Sequence, residues 1–583
     1  MKHIVADILS QALSGLPELN EAAADLSVAA TVERTRDPAH GDFASNIAMR
    51  LAKPARKSPR DIAASIVEAL SDSSQVNKTD IAGPGFINFH LSPSAFHSEM
   101  ESVLDASENY GRQAPKESPK ILLEFPSANP TGPLHVGHGR LAAYGATVGN
   151  LLEAAGYPVH REYYVNDAGR QMDILGISVW LRLIENDGIE VPFPKGAYRG
   201  DYIRDIAASI DTDGINAVTA DDVLSGLPAD EPEGDKEAYV GALIDRARTL
   251  LGDSGFNQLR QQTLDSIRDD IEDDLAEFGI IFDRWYSEQD LTGGDAIDNA
   301  LAVLEERGML YKKDGATWFR ATDFGDEKDR VVVRENGVRT YFASDIAYHF
   351  EKRERGFDHL IDILGADHHG YAPRLKAGLE AMGYKGDDLE VKLVQFVTLY
   401  RGGEKMQMST RSGEFDTLRQ LRAEVGNDAA RFYYVSRSND QHLDFDLDVA
   451  KSQSNDNPVY YIQYAHARVA SVFRQLGEKA LQWDRANGRD QLALLVEPQE
   501  KALMTSLSRY PEVLELAANN RAPQHLVHFL RDLANDFHTY YNAHAFIVDD
   551  AALRDARLYL VSATRIVIAN GLGILGVSAP EQM

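Results

Sequence analysis

The chain has 583 residues, 44% hydrophobic and 26% charged, with 60 Lys and Arg against 90 Asp and Glu, a formal charge of −30. That composition excludes a chain disordered throughout, and the acidic balance argues against a protein that coats nucleic acid without specificity. The absence of cysteine excludes disulfides, cysteine zinc sites and thiol catalysis. MKHIVADILSQALSGL lacks the apolar block of a secretory signal, and no run of about eighteen apolar residues is evident, so a cytoplasmic protein without a membrane span is expected.

Residues 1–110 read as a separate α+β unit. Helical patterns fill 2–14 and 59–71, a turn-rich stretch spans 37–53, and GPGFINFHLS (83–92) reads as turn plus strand. The polar segment 107–120 reads as a linker. ILLEF (121–125) then predicts a buried strand, 137–157 a helix and VHREYYV (159–165) a second strand, a βαβ unit that implies a parallel sheet. HLIDIL (359–364) and VKLVQF (391–396) extend that sheet, so an insertion at about 185–285 divides it. The insertion holds TADDVLSGLPADEPEGDKE (219–237), whose carboxylates lack metal-ligand spacing and read as a solvated loop. After 450 the pattern is wholly helical, over 455–483, 497–518, 522–545 and 551–572. The fold class is therefore α/β, a Rossmann-like parallel-sheet domain at 118–400 with an N-terminal α+β domain at 1–110. A connecting region spans 401–450 and an all-α bundle 451–583.

The sharpest chemical signal is ANPTGPLHVGHGR (128–140), placed where a strand ends and a helix begins. His135 and His138 are three apart on one face of the first turn, and Gly137 and Gly139 leave room for a ligand to approach the backbone. A helix N-terminus adds free N–H groups and partial positive charge, which suits a triphosphate.

HxGH at such a turn resembles the nucleotide motif of class I aminoacyl-tRNA synthetases and related nucleotidyl transferases. EFPSANPTGPLHVGHGR, YYVNDAGRQMDILG (163–176), HGDFASNIA (40–48), GPGFINF (83–89), YFASDIAYH, GADHHGY (365–371) and NPVYYIQYAHAR (457–468) together are similar to the arginyl-tRNA synthetase family over nearly the whole chain. The resemblance implies ATP, Mg²⁺ carried with the triphosphate, L-arginine and tRNA-Arg as partners, in a monomer without a resident metal. It also implies that tRNA is needed for the first step. It assigns ATP binding to Pro130, His135, Gly137, His138, Gly139, Asp367 and His368. The family's KMSKS loop matches GGEKMQMSTRSG (402–413), where the lysine places hold Gln407 and Thr410. Met408, Ser409, Thr410 and Arg411 remain, and Lys405, Arg411 and Lys120 are the candidates to neutralise the leaving pyrophosphate.

An arginine substrate demands a carboxylate placed for a bidentate bond to a planar guanidinium. The resemblance gives that role to Asp345, with Tyr341 four residues earlier on the same helix face. Glu124, Ser127, Asn129 and His135 flank the turn and are assigned to arginine as well. For tRNA it implies Asn46 in the N-terminal unit and Asn457, Tyr460, Tyr464 and Arg468 in the bundle, with Asn455 and Gln463 as further base readers. The i, i+4, i+8 pattern of Tyr460, Tyr464 and Arg468 suits a packed core as well as an RNA surface. Two other readings stand beside the main one, a different HxGH nucleotidyl transferase and a catalytically silent RNA-binding relative. The helical domain and N-terminal unit argue against the first, and the HVGH turn with Tyr341 and Asp345 against the second.

Overall fold

Ile121, Leu122 and Leu123 are buried and apolar on both faces of their strand, the signature of a central strand in a covered parallel sheet. In the computed structural model, which describes residues 1–71, 73–210, 218–368, 370–406 and 417–583, Ile121–Glu124 is the middle of five parallel strands. Their spatial order is Leu389–Val394, His359–Gly365, Ile121–Glu124, Val159–Val165 and Arg284–Ser287. The chain runs outward in one direction from Ile121–Glu124, then returns to lay His359–Gly365 on its other side. The carboxyl ends of these two strands border the switch point where an open α/β sheet binds ligands.

The helix Val136–Ala154 packs back on this sheet, with Gly145 seated against the buried Phe125 ring. Between Val159–Val165 and Arg284–Ser287, helix Arg170–Asn186 lies along Lys236–Glu277, two helical stretches that meet at a kink at Gly252. A second excursion was not expected from the sequence. Leu310–Lys313, Ala316–Phe319 and Arg330–Val333 form a three-stranded antiparallel sheet before helix Tyr341–Glu354. Its strands, LYKK, ATWF and RVVV, are four residues each, too short for a period to show. A third small sheet, Glu404–Lys405, Val397–Arg401 and Leu443–Asp446, leads into the helical region.

The N-terminal unit is a four-stranded antiparallel sheet, Val32–Arg34, Phe43–Ser45, Phe86–Leu91 and Val76–Ala82 in spatial order, with a core of its own. It meets the C-terminal bundle through a bidentate Arg34–Glu512 pair. The bundle contains Pro458–Glu478, Pro498–Leu507, Tyr510–Asn520, Gln524–Ala543 and Ala551–Leu575. The last of these has the length and apolar character of a membrane span, which the sequence reading overlooked, and most of it is buried inside the bundle.

Gly145→Ala tests the packing of the central helix on the sheet. A Cβ there meets the Phe125 ring directly. Thermal unfolding should show a loss of about 1–3 kcal/mol, the usual cost of overpacking. A wild-type melting temperature would mean the helix is not pressed against the sheet as described.

Candidate functional site

The turn after the central strand is built to present two imidazoles. Ser127 adopts a left-handed φ of 49°, its hydroxyl donates to Glu124 Oε1 at 3.0 Å, and its oxygen accepts the Tyr164 N–H at 3.1 Å. Asn129 is exposed and accepts from the Asn166 amide at 3.2 Å, and Pro130 is buried. His135 then caps the helix Val136–Ala154. Its Nδ1 accepts the Gly137 and His138 N–H groups at 3.1 and 3.3 Å, and His138 Nδ1 accepts the His135 N–H at 3.4 Å. With both Nδ1 atoms accepting, both protons sit on Nε2, and the rings stack with centroids 3.5 Å apart. Burial, aided by His135, lowers His138 to about 3. At neutral pH it is an uncharged donor at a helix N-terminus.

The glycines serve the turn differently from the sequence expectation. A Cβ on Gly139 would lie 2.7 Å from both Leu418 Cδ1 and the Tyr434 hydroxyl, which donates to the Val136 carbonyl at 2.8 Å. Gly139 is therefore bare to admit a neighbouring helix, and Gly137 leaves space for the capping ring of His135. Arg140, buried behind them, donates to the carbonyls of Gln395, Gln441 and Ser438 at 2.7–3.0 Å. It fixes the corner between two strands beside the helix.

The next wall comes from the turn after His359–Gly365, where Asp367 and His368 are exposed and pair at 3.8 Å. His369 lies outside the described residues, as do Gln407, Met408, Ser409, Thr410 and Arg411. The ends of that last segment are placed. Met406 N–H bonds Leu399 O, Thr417 bridges His135, and Leu418 N–H donates to Leu134 O at 2.7 Å. Lys405 is exposed on the Glu404–Lys405 strand. Lys120 does not belong to the site. It precedes the amino end of Ile121–Glu124, where its backbone pairs with Asp358, and the HxGH turn follows the carboxyl end.

On the other side of the turn lies an acidic pocket. Tyr341 and Asp345 share a face of Tyr341–Glu354, as expected. Tyr341 is 74% exposed and its hydroxyl reaches toward Gly169. Asp345 is pushed up to about 7 by burial, opposed by His349 and reinforced by Glu124, Glu288 and Asp362. Glu288 was not singled out in the sequence. It is 5% exposed, opens a short helix directly after the strand Arg284–Ser287, and its Oε2 is buried with no hydrogen-bond partner among the described residues. Burial, with Asp167 adding repulsion, raises its pKa. A carboxylate just past a parallel strand's carboxyl end was the available signal, hidden by the long insertion before it. Among the described residues no three His, Asp or Glu gather as metal ligands.

The bundle separates the proposed RNA contacts. Tyr460 and Tyr464 are half-buried and stack at 5.9 Å, and the Arg468 guanidinium lies 4.5–4.6 Å from the rings of Tyr464 and Tyr541. Asn457 is buried, and its amide donates to the carbonyls of Ala450 and Ser452. Gln463 is buried against Asp428 and Ser578. Both shape the helix entry, with their amide N–H groups already committed, and are not placed to read bases. Asn455 is exposed. Asn46 stands at the N-cap position of the helix Ile47–Ala55 without a side-chain capping bond, and its buried Oδ1 has no partner among the described residues.

Three family models match consecutive parts of the chain. They are an arginyl tRNA synthetase N terminal domain over 1–91, a catalytic domain of class I (R) tRNA synthetases over 99–444, and a DALR anticodon binding domain over 462–583. An arginine–tRNA ligase of Thioalkalivibrio sulfidiphilus is 58% identical over the full length of both chains, and one of Legionella pneumophila 53%. A crystal structure from Campylobacter jejuni, assigned as an arginyl-tRNA synthetase, superposes with a TM-score of 0.72 at 32% identity, covering 85% of this chain and all of that one. The Thermus thermophilus arginyl-tRNA synthetase shares the fold, with a TM-score of 0.70 at 23% identity over 97% and 99% of the two chains.

The HxGH geometry predicts a fixed protonation state. In ¹⁵N spectra His138 should stay neutral and Nε2-protonated from pH 5 to 8, since its pKa is about 3. A midpoint near 6.5 would contradict the buried, capped arrangement.

Proposed function

Because the chain belongs to the arginyl-tRNA synthetase family of class I enzymes, we propose that the acidic pocket takes the side chain of L-arginine and the HxGH turn takes ATP. The enzyme charges tRNA-Arg with arginine. The observation that carries the site assignment is the carboxylate cluster of Asp345, Glu124 and Glu288 beside the capped histidine turn. Burial first, and then repulsion from Glu124 and Glu288, raises Asp345, and a bound cation relieves it. A guanidinium stays charged at every working pH and offers donors to more than one carboxylate. Asp345 and Glu288 meet it, and Tyr341 closes over it. Glu124, Ser127 and Asn129 lie toward the α-amino end, next to His135.

The reaction follows from that placement. An oxygen of the arginine carboxylate bonds to the α-phosphorus of ATP while the bond to the bridging oxygen breaks, giving arginyl-adenylate and pyrophosphate. The Nε2–H groups of His135 and His138 donate to phosphate oxygens as charge shifts onto the leaving group. Pro130, Gly137 and Gly139 shape the turn, and Asp367 and His368 border the adenosine. By the resemblance, Arg411 and Lys405 supply positive charge to the leaving pyrophosphate, with Met408, Ser409 and Thr410 of the same motif beside them. In the second step a ribose hydroxyl at the tRNA 3′ end bonds to the arginyl carbonyl carbon. AMP leaves, and the hydroxyl proton passes to solvent or the departing phosphate. Mg²⁺ carried with ATP would neutralise triphosphate charge, and among the described residues no cluster of His, Asp or Glu is placed to hold it as a resident ion. The protein supplies position and charge, and no nucleophile of its own.

For the tRNA, Tyr460 and Tyr464 offer ring faces to unstacked anticodon bases, with Arg468 held between rings at their flank. Asn46 marks the contact of the N-terminal unit with the outer corner of the tRNA. The partners are soluble and the apolar helix Ala551–Leu575 is mostly buried, which suits a cytoplasmic monomer.

ATP–pyrophosphate exchange in the presence of tRNA-Arg tests the reading. Wild-type protein should exchange with L-arginine. Asp345→Ala should lose arginine-dependent exchange by several kcal/mol of substrate binding, as expected when a buried cation is left unpaired, while still binding ATP. Arginine-dependent exchange retained by the variant would overturn the assignment.

A further inference from the structure

Glu124 sits in a row of acids that the sheet register creates. Its partner on one neighbouring strand is Asp362 and on the other Glu162, so three carboxylates stand side by side on one face of three parallel strands. The helix Tyr341–Glu354 and its next residue lie over this row and answer it with cations. Lys352, 0% exposed, donates to Glu124 Oε2 at 2.6 Å and Asp362 Oδ1 at 3.0 Å. His349 bridges Asp362 Oδ2 at 2.7 Å and the Asp345 carbonyl at 2.8 Å. Tyr348 and Arg355 bond to Glu162. The reaction as described uses none of these four residues.

Resting on the arginine reading of the pocket, we propose that Lys352 is a positioning residue that sets the arginine-binding geometry of Glu124. With Ser127 on Oε1 and Lys352 on Oε2, the Glu124 carboxylate is held at both oxygens, and its remaining lone pairs are presented to the substrate in one orientation. The same ammonium, through Asp362 and His349, ties that orientation to the backbone of Asp345 one turn above. Glu124 and the Asp345 backbone, two of the three acid positions assigned to arginine, are therefore linked through one internal cation, and that link sets the spacing between them. Burial works against a charged lysine, and the two carboxylates outweigh it, holding the Lys352 pKa above its usual value.

Lys352→Met alone leaves two buried carboxylates unpaired and risks misfolding, so the decisive variant is Asp362→Asn/Lys352→Met, which removes one acid with the base. Its reference is Asp362→Asn alone, with melting temperature recorded for each. In exchange assays with tRNA-Arg, the double variant should show an arginine KM raised about tenfold or more over the reference, as expected for a lost buried charge contact. The ATP KM and the rate at saturating arginine should stay within about threefold, the factor left when only the arginine contact changes. An arginine KM equal to the reference would overturn the proposal. Parallel losses in both KM values and the rate would also overturn it, because they mark a general structural role. Wild-type protein that fails to exchange with arginine would instead refute the arginine pocket itself.

Discussion

The site depends on keeping several carboxylates close together in a place that water does not neutralise. Asp362, Glu124 and Glu162 are neighbours in one register row, with Asp345 and Glu288 above them at the open end of the sheet. Buried like charges cost several kcal/mol each unless paired. The helix Tyr341–Glu354 and Arg355 supply the pairing for the lower row through Lys352, His349, Tyr348 and Arg355. Burial, with the neighbouring acids, raises Asp345 to about 7, and among the described residues one Glu288 oxygen has no hydrogen-bond partner. The same packing that holds the helix on the sheet thus leaves an acidic cluster whose charge a cationic substrate would balance.

The nucleotide half relies on different physics. Among the described residues its binding features are a capped helix start, two Nε2–H donors and a backbone corner. What the rest of the chain supplies there is rigidity. Tyr434 grips the first turn of Val136–Ala154, Arg140 pins the corner beside it, and Leu418 closes against Leu134. The helix that carries Tyr434 begins at Asn427, and its first-turn Asp428 accepts from Ser578 and from Gln463 of the anticodon-domain helix. One continuous set of contacts therefore joins the C-terminal bundle to the HxGH turn.

Much of this was legible in local sequence. The strand, HxGH turn and helix are contiguous, so residue type and spacing alone placed His135 and His138 correctly relative to one another. The pair Tyr341 and Asp345 needed only a helix. Features set by distant contacts were not legible. Glu288 reaches the pocket across an insertion of more than a hundred residues, Gly139 is bare because Tyr434 and Leu418 arrive from the far side, and Asn457 and Gln463 turn inward to bond backbone and Asp428. Lys120 looked near the turn in sequence, yet one strand length puts it at the opposite edge of the sheet. The three strands at 310–333 are too short, at four residues each, to show a period.

The most direct test of the charge-deficit account is the proton balance of arginine binding, measured by calorimetry in buffers of different ionisation enthalpy. A guanidinium docking on Asp345 must displace the proton that a pKa of about 7 leaves on it in the free protein. At pH 6 the account predicts close to one proton released per arginine bound, falling toward none at pH 8.5. Binding that is proton-neutral at both pH values would contradict it.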